Sequence, residues 1–226
     1  MNVQITPTIF EFLQQLKKNN HRDWMQENKK TYQTNEKLLK AFYSEVESEL
    51  NKTDQIEKVK VFRINRDIRF SKDKTPYNVH RSVSFSRAGN HRRGGYYLRI
   101  EPGNCLMAGG FFGPEPKDLL RIRKEFEMDA EPIRNILAEK NFAQAFGNFN
   151  QEYKVKTAPK GFQKDDPNID LIALKSFFVT KSFTDKEVLA STFKDQLVEH
   201  FLLLRPFFDY MSEVLTTDLN GVSLLD

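Results

Sequence analysis

The stretch VFRINRDIRFSKDKTPY, residues 61–77, gathers Arg63, Arg66, Arg69, Lys72 and Lys74 around only two acids, Asp67 and Asp73. Guanidinium forks match the paired oxygens of phosphates and carboxylates, so this composition is that of an anion site. The charge is interleaved with Phe62, Ile64, Ile68 and Phe70, whose period of two predicts an extended segment with the arginines on the other face. Arg66 breaks that rule. In a regular strand it points into the apolar face, where a guanidinium needs a partner. Asp67 points the other way. Either the strand bulges near Asn65–Asp67 or Arg66 meets a carboxylate from elsewhere, as an internal salt bridge or at the wall of a pocket.

The candidate ligand-binding residues are Arg63, Arg66, Asp67, Arg69, Lys72, Lys74 and Tyr77, joined by Lys160, which stands beside Gly161 in a later turn. Asp67 would orient an arginine, and Asp67 or Asp73 would be the base if a reaction took place here. The loop Ser71–Tyr77 has turn chemistry, with Asp73 capping backbone amides and Pro76 holding Thr75 extended. Ser71 and Lys74 share the S-x-x-K spacing of serine acyl-transferases, but that serine should open a helix, a proline follows closely here, and the partner motifs find no place in the sequence. His80, Ser82, Ser84 and Ser86 share one face of the next strand, either lining a cleft or facing solvent. His21, His80, His91 and His200 form no ligand pattern, so no metal and no cofactor is expected.

Charge is regional. Residues 58–99 hold 12 Lys/Arg and two Asp/Glu, a local balance of +10, whereas the remainder holds 23 basic and 29 acidic residues, so the net +4 conceals a localised positive region. That favours a small anionic partner. Nucleic acid is the alternative, with Phe70, Tyr77, Phe85, Tyr96 and Tyr97 as stacking platforms. A third reading is a structural or interaction module whose arginines are consumed in internal ion pairs. The single cysteine, Cys105, the absence of a signal-like opening and the absence of a long apolar run point to a cytoplasmic chain without a membrane span.

The elements that must position these residues follow from periodicity. Thr6-Pro7 reads as N-cap and first helical position, with Ile9, Phe10, Leu13 and Leu16 as the apolar stripe. A second helical region runs from about Asp23 to Leu50, broken once. Strands follow over Val79–Arg87, around Tyr96, Leu98 and Ile100, and over Leu106–Phe112, with short glycine-rich links that imply an antiparallel meander. Helices return around Leu119–Phe126 and Ile133–Leu137, FFVTKSF adds a further strand, and a last helix from Thr192 to Val214 is expected to kink at Pro206. The fold class is α+β, an antiparallel meander of four or more strands flanked by N- and C-terminal helices. One domain is expected over residues 1–226: helical in 1–55, β-rich in 58–113 and mainly helical in 114–226.

Three blocks resemble a family of conserved hypothetical proteins, domain of unknown function (DUF) family 2461. They are Phe12-Leu13, Leu16, Asn19-Asn20, Arg22, Trp24, Asn28-Lys29 and Tyr32; the central FRINRDIRFSKDKTPY; and Ala158–Phe162 with Asp166-Pro167. Met25 replaces an expected aromatic and Asn78 an expected lysine. The resemblance implies one family unit over nearly the whole chain and no established activity. It draws attention to Arg22, Trp24, Asn28 and Tyr32, either a cleft wall or a helix packed on the sheet with Trp24 and Tyr32 as core.

Overall fold

The computed structural model describes residues 3–225. Its framework is a five-stranded antiparallel sheet in the order β1-β2-β3-β4-β5: β1 (Ile56–Val61), β2 (Arg81–Arg87), β3 (Gly95–Ile100), β4 (Cys105–Phe111) and β5 (Phe177–Phe183). Strand order equals chain order, the meander implied by the short links Gly94-Gly95 and Pro102–Asn104. Helices precede and follow it, so the fold is α+β. Among the described residues no helix is long and apolar enough to cross a membrane.

The chain clusters into two compact units. The first comprises residues up to Phe85, Tyr97–Met107 and Ser182–Glu199. It opens with α1 (Pro7–Lys18), which starts at Pro7 because a proline needs no amide partner in the first turn. The helical region after it breaks at Asn28 into α2 (Arg22–Glu27) and α3 (Lys29–Leu50). The Asn28 side chain donates to the Trp24 carbonyl at 2.9 Å and so competes with the helical ladder. Buried Leu39, Phe42, Tyr43, Val46 and Leu50 of α3 belong to the same core as Val83, Phe85, Leu98 and Ile100 of the sheet. Phe193 closes this core, with ring centroids 5.9 Å from Phe42 and 5.2 Å from Phe183. Trp24 and Tyr32 are half-buried and pack on Phe12 of α1 at 5.5 and 5.9 Å, so these rings meet a neighbouring helix and neither is a fully buried core residue. The unit also holds the short α8 (Asp185–Val188), introduced by a Thr184–Glu187 capping box.

The second unit comprises Ser86–Tyr96, Ala108–Lys181 and the residues from His200 onward. It contains α4 (Pro116–Met128), α5 (Glu131–Ala138), α6 (Lys140–Phe146) and α7 (Ile169–Ile172). The expected kinked last helix is instead two helices, α9 (Phe193–Leu202), which begins in the first unit, and α10 (Arg205–Thr216). Pro206 lies in the first turn of α10, where its missing amide is harmless, so the chain breaks just before it. Phenylalanines fill this core: Phe208 of α10 meets Tyr96 at 5.0 Å and Phe111 at 6.1 Å, and Phe177 meets Phe126 at 5.6 Å.

Strand β2 carries two buried arginines. Arg81, Val83, Phe85 and Arg87 alternate onto the buried face. In the first unit Arg81 binds Glu36 of α3 through two hydrogen bonds of 2.5 and 2.8 Å. In the second, Arg87, with its side chain 1% exposed, donates to Asp209 of α10 at 2.7 Å and to the Arg93 carbonyl at 3.1 Å.

Candidate functional site

The predicted strand over Phe62–Phe70 does not form. Regular strand ends at Val61, the ladder reaches Phe62 N donating to Ser82 O at 3.0 Å, and residues 63–80 then make a hairpin-like excursion. Its base is pinned by Arg66 N to Pro76 O (2.9 Å), Asn78 N to Ile64 O (2.7 Å) and an antiparallel Asn65–Tyr77 bridge. Of the four apolar residues that mimic a strand, Ile64 is 4% exposed and Phe70 is 96% exposed. The carboxylates explain the difference, because Asp67 and Asp73 bond nearby amides and hydroxyls that a ladder would otherwise need oriented elsewhere.

Asp73 accepts from Thr75 N and Thr75 Oγ1, both at 2.9 Å, and from Arg66 at 2.6 Å. These bonds, led by the Thr75 amide, hold its carboxyl below the usual range. Arg66 also donates to Thr75 O at 3.0 Å and to Thr75 Oγ1. With no strand there is no bulge, and Arg66 meets instead a carboxylate from beyond the expected strand, Asp73 of the same excursion, as an internal salt bridge. Asp67 takes Arg69 in a two-point clasp, Nε at 2.9 Å and the terminal nitrogen at 2.6 Å, and that pairing lowers its pKa. Lys74 Nζ donates to the Ile68 carbonyl at 3.0 Å, closing the excursion from within.

At the base of the excursion lies an open cleft of about 700 Å³. Arg63, Arg66 and Asp67 line it on one side, with Asn65 and Asn78 beside them. Lys60, Phe62, His80, Ser82 and Tyr97 come from β1, β2, β3 and the segments that adjoin them. Arg66 is neutralised by Asp73, and Asp67 by Arg69. Lys60 and Arg63 have no carboxylate partner among the described residues, so the cleft keeps an uncompensated positive charge. His80 is pushed below its ordinary pKa by burial, with Arg99 and Arg81 reinforcing and Glu101 opposing, which favours a neutral ring at pH 7.

The remaining candidates lie elsewhere. Arg69 is exposed and committed to Asp67, and Lys72 is exposed without a partner among the described residues. Lys74 borders a separate depression of about 410 Å³ with Asn20, Arg22 and Pro76. Tyr77 is held by its backbone, Asn20 clamping its amide at 3.1 Å and its carbonyl at 2.9 Å. Lys160 is an exposed turn residue of the second unit. Lys60, Asn65 and Asn78 are not among the candidates read from sequence, and Tyr97 enters there only as a stacking platform for nucleic acid. They approach Arg63 only because the ladder brings strand ends and the returning loop together. Among the described residues no cluster of three His, Cys, Asp or Glu side chains could hold a metal ion.

A family model described as conserved hypothetical protein (DUF2461) matches residues 8–210, which takes in all three sequence blocks and every residue of the cleft. No curated protein and no solved structure matches the chain.

Proposed function

We propose that this chain, which belongs to the DUF2461 family of conserved hypothetical proteins, binds a small phosphate- or carboxylate-bearing ligand in the cleft at the end of β1. The observation that carries the reading is the pair Lys60 and Arg63, two cations lining one cleft whose lining carboxylate, Asp67, is already paired with Arg69. An anion supplies what the fold leaves out, and Arg66, fixed by Asp73 and Thr75, adds a pre-oriented wall. The arginines that hold sheet to helix are Arg81 and Arg87, which leaves Arg63 free of that structural duty. A reducing, cytoplasmic setting belongs to the same proposal, supported by the lone buried thiol Cys105, whose pKa burial pushes up to about 11.

The test is a thermal-shift titration with inorganic phosphate and citrate at constant ionic strength, on the full chain and on Lys60→Gln/Arg63→Gln. Saturable stabilisation is expected for the natural sequence, since a ligand at 100 times its Kd adds about 2.7 kcal/mol. The double variant should fold normally, because both side chains are exposed, and should lose the response. An equal response in the double variant would place the anion elsewhere.

A further inference from the structure

The charge occupies only part of the cleft, and the rest of its lining has a different chemistry. Phe62 and Tyr97 meet edge-to-face at 6.1 Å on the wall, both half-buried, with Lys60 Nζ 4.9 Å above the Phe62 ring. Asn65, Ser82 and His80 supply neutral donors and acceptors. Asn78 spends one donor on the Arg63 carbonyl at 3.2 Å, which leaves its amide oxygen to accept. A volume of about 700 Å³ falls in the range of sites that hold whole organic molecules and far exceeds what one inorganic anion fills. Cations at the rim, a ring wall beside them and neutral polar groups between describe a ligand with the same three parts.

Resting on the anion-binding reading above, we infer that the ligand is a planar, nitrogen-bearing ring carrying a phosphate, with a nucleoside monophosphate as the simplest example. The phosphate sits against Lys60 and Arg63, the ring lies on Tyr97, and Asn65, Asn78 and His80 meet its polar edge. Aromatic side chains stack on any base, so the wall recognises a ring without fixing which ring. A free nucleotide and the phosphorylated end of a strand present this chemistry equally. The open mouth of the cleft admits either.

Isothermal titration at low salt compares inorganic phosphate, ribose 5-phosphate, AMP and a 5′-phosphorylated adenylate trimer. AMP should bind at least about tenfold more tightly than ribose 5-phosphate, the difference being the ring. Tyr97→Ala should bring AMP down to the ribose 5-phosphate level while leaving ribose 5-phosphate within about twofold, and Tyr97→Phe, which keeps the ring, should restore the difference. Lys60→Gln/Arg63→Gln should weaken every phosphorylated compound. A trimer that binds like AMP identifies a strand end as a source, and one that fails identifies the free nucleotide. If AMP and ribose 5-phosphate bind equally, the ring inference is overturned while the anion site stands. If none of the phosphates binds, both fall.

Discussion

Glu36→Ala leaves the Arg81 guanidinium under the sheet without its carboxylate. In the folded protein the Arg81 side chain is 4% exposed and Glu36 14%, joined by hydrogen bonds of 2.5 and 2.8 Å. Removing one partner of a buried pair costs about 3–5 kcal/mol, because the survivor keeps its desolvation penalty without its counter-charge. Residual water access at Glu36 places this pair at the lower end, about 3 kcal/mol, a factor of roughly 150 in the folding equilibrium. Urea unfolding followed by fluorescence of the single tryptophan is the assay, since Trp24 packs on Phe12 in the same unit. With a slope of about 3 kcal/mol/M, the midpoint should fall by about 1 M. The double variant Glu36→Leu/Arg81→Met removes both charges and should return to within about 1 kcal/mol of the natural chain. A Glu36→Ala cost below about 1 kcal/mol, or a double variant as unstable as the single, would refute the claim that charge pairing ties β2 to α3.

His80 supplies a pH dependence. Burial depresses its folded pKa below the ordinary 6.5, so its contribution to stability is complete above about pH 6.5 and is lost as pH falls through the folded value. His80→Gln should flatten that acid limb of the stability curve, and an unchanged limb would assign it to other groups. Gly110→Ala should destabilise by about 3 kcal/mol or more in thermal melts, because φ is +142° and an added Cβ drives into the Phe177 carbonyl and the Phe178 Cα. Gly103→Ala, with φ +76° and open space around it, should cost only about 1–2 kcal/mol. Glu187→Ala removes its half of the Thr184 capping box and should cost about 1 kcal/mol, read as a midpoint shift in urea.

Much of the framework is legible from pattern alone. Strands β3 and β4 alternate residue by residue, and the burial of Tyr96, Leu98, Ile100, Cys105 and Met107 follows that alternation. Pro7 and Pro116 mark helix starts for a local covalent reason, the amide that proline lacks. The same parity rule places Arg81 and Arg87 beside Val83 and Phe85, so the sequence holds a signal that both guanidiniums are buried. The excursion after β1 misleads the rule. Phe62, Ile64, Ile68 and Phe70 alternate, yet Asp67 and Asp73 fold the backbone around themselves and leave Phe70 in water.

By itself the sequence determined the α+β meander, the family and the place where positive charge accumulates, because periodicity, turn residues and composition are local properties. Only the tertiary structure decided what each charge does. Glu36 stands 45 residues from Arg81, and Asp209 stands 122 from Arg87. Pairing across such distances depends on which faces pack together. The same packing brings Lys60 and Arg63 into the lining of one cleft without an ion-pair partner among the described residues, and sets Tyr97 of β3 on its wall.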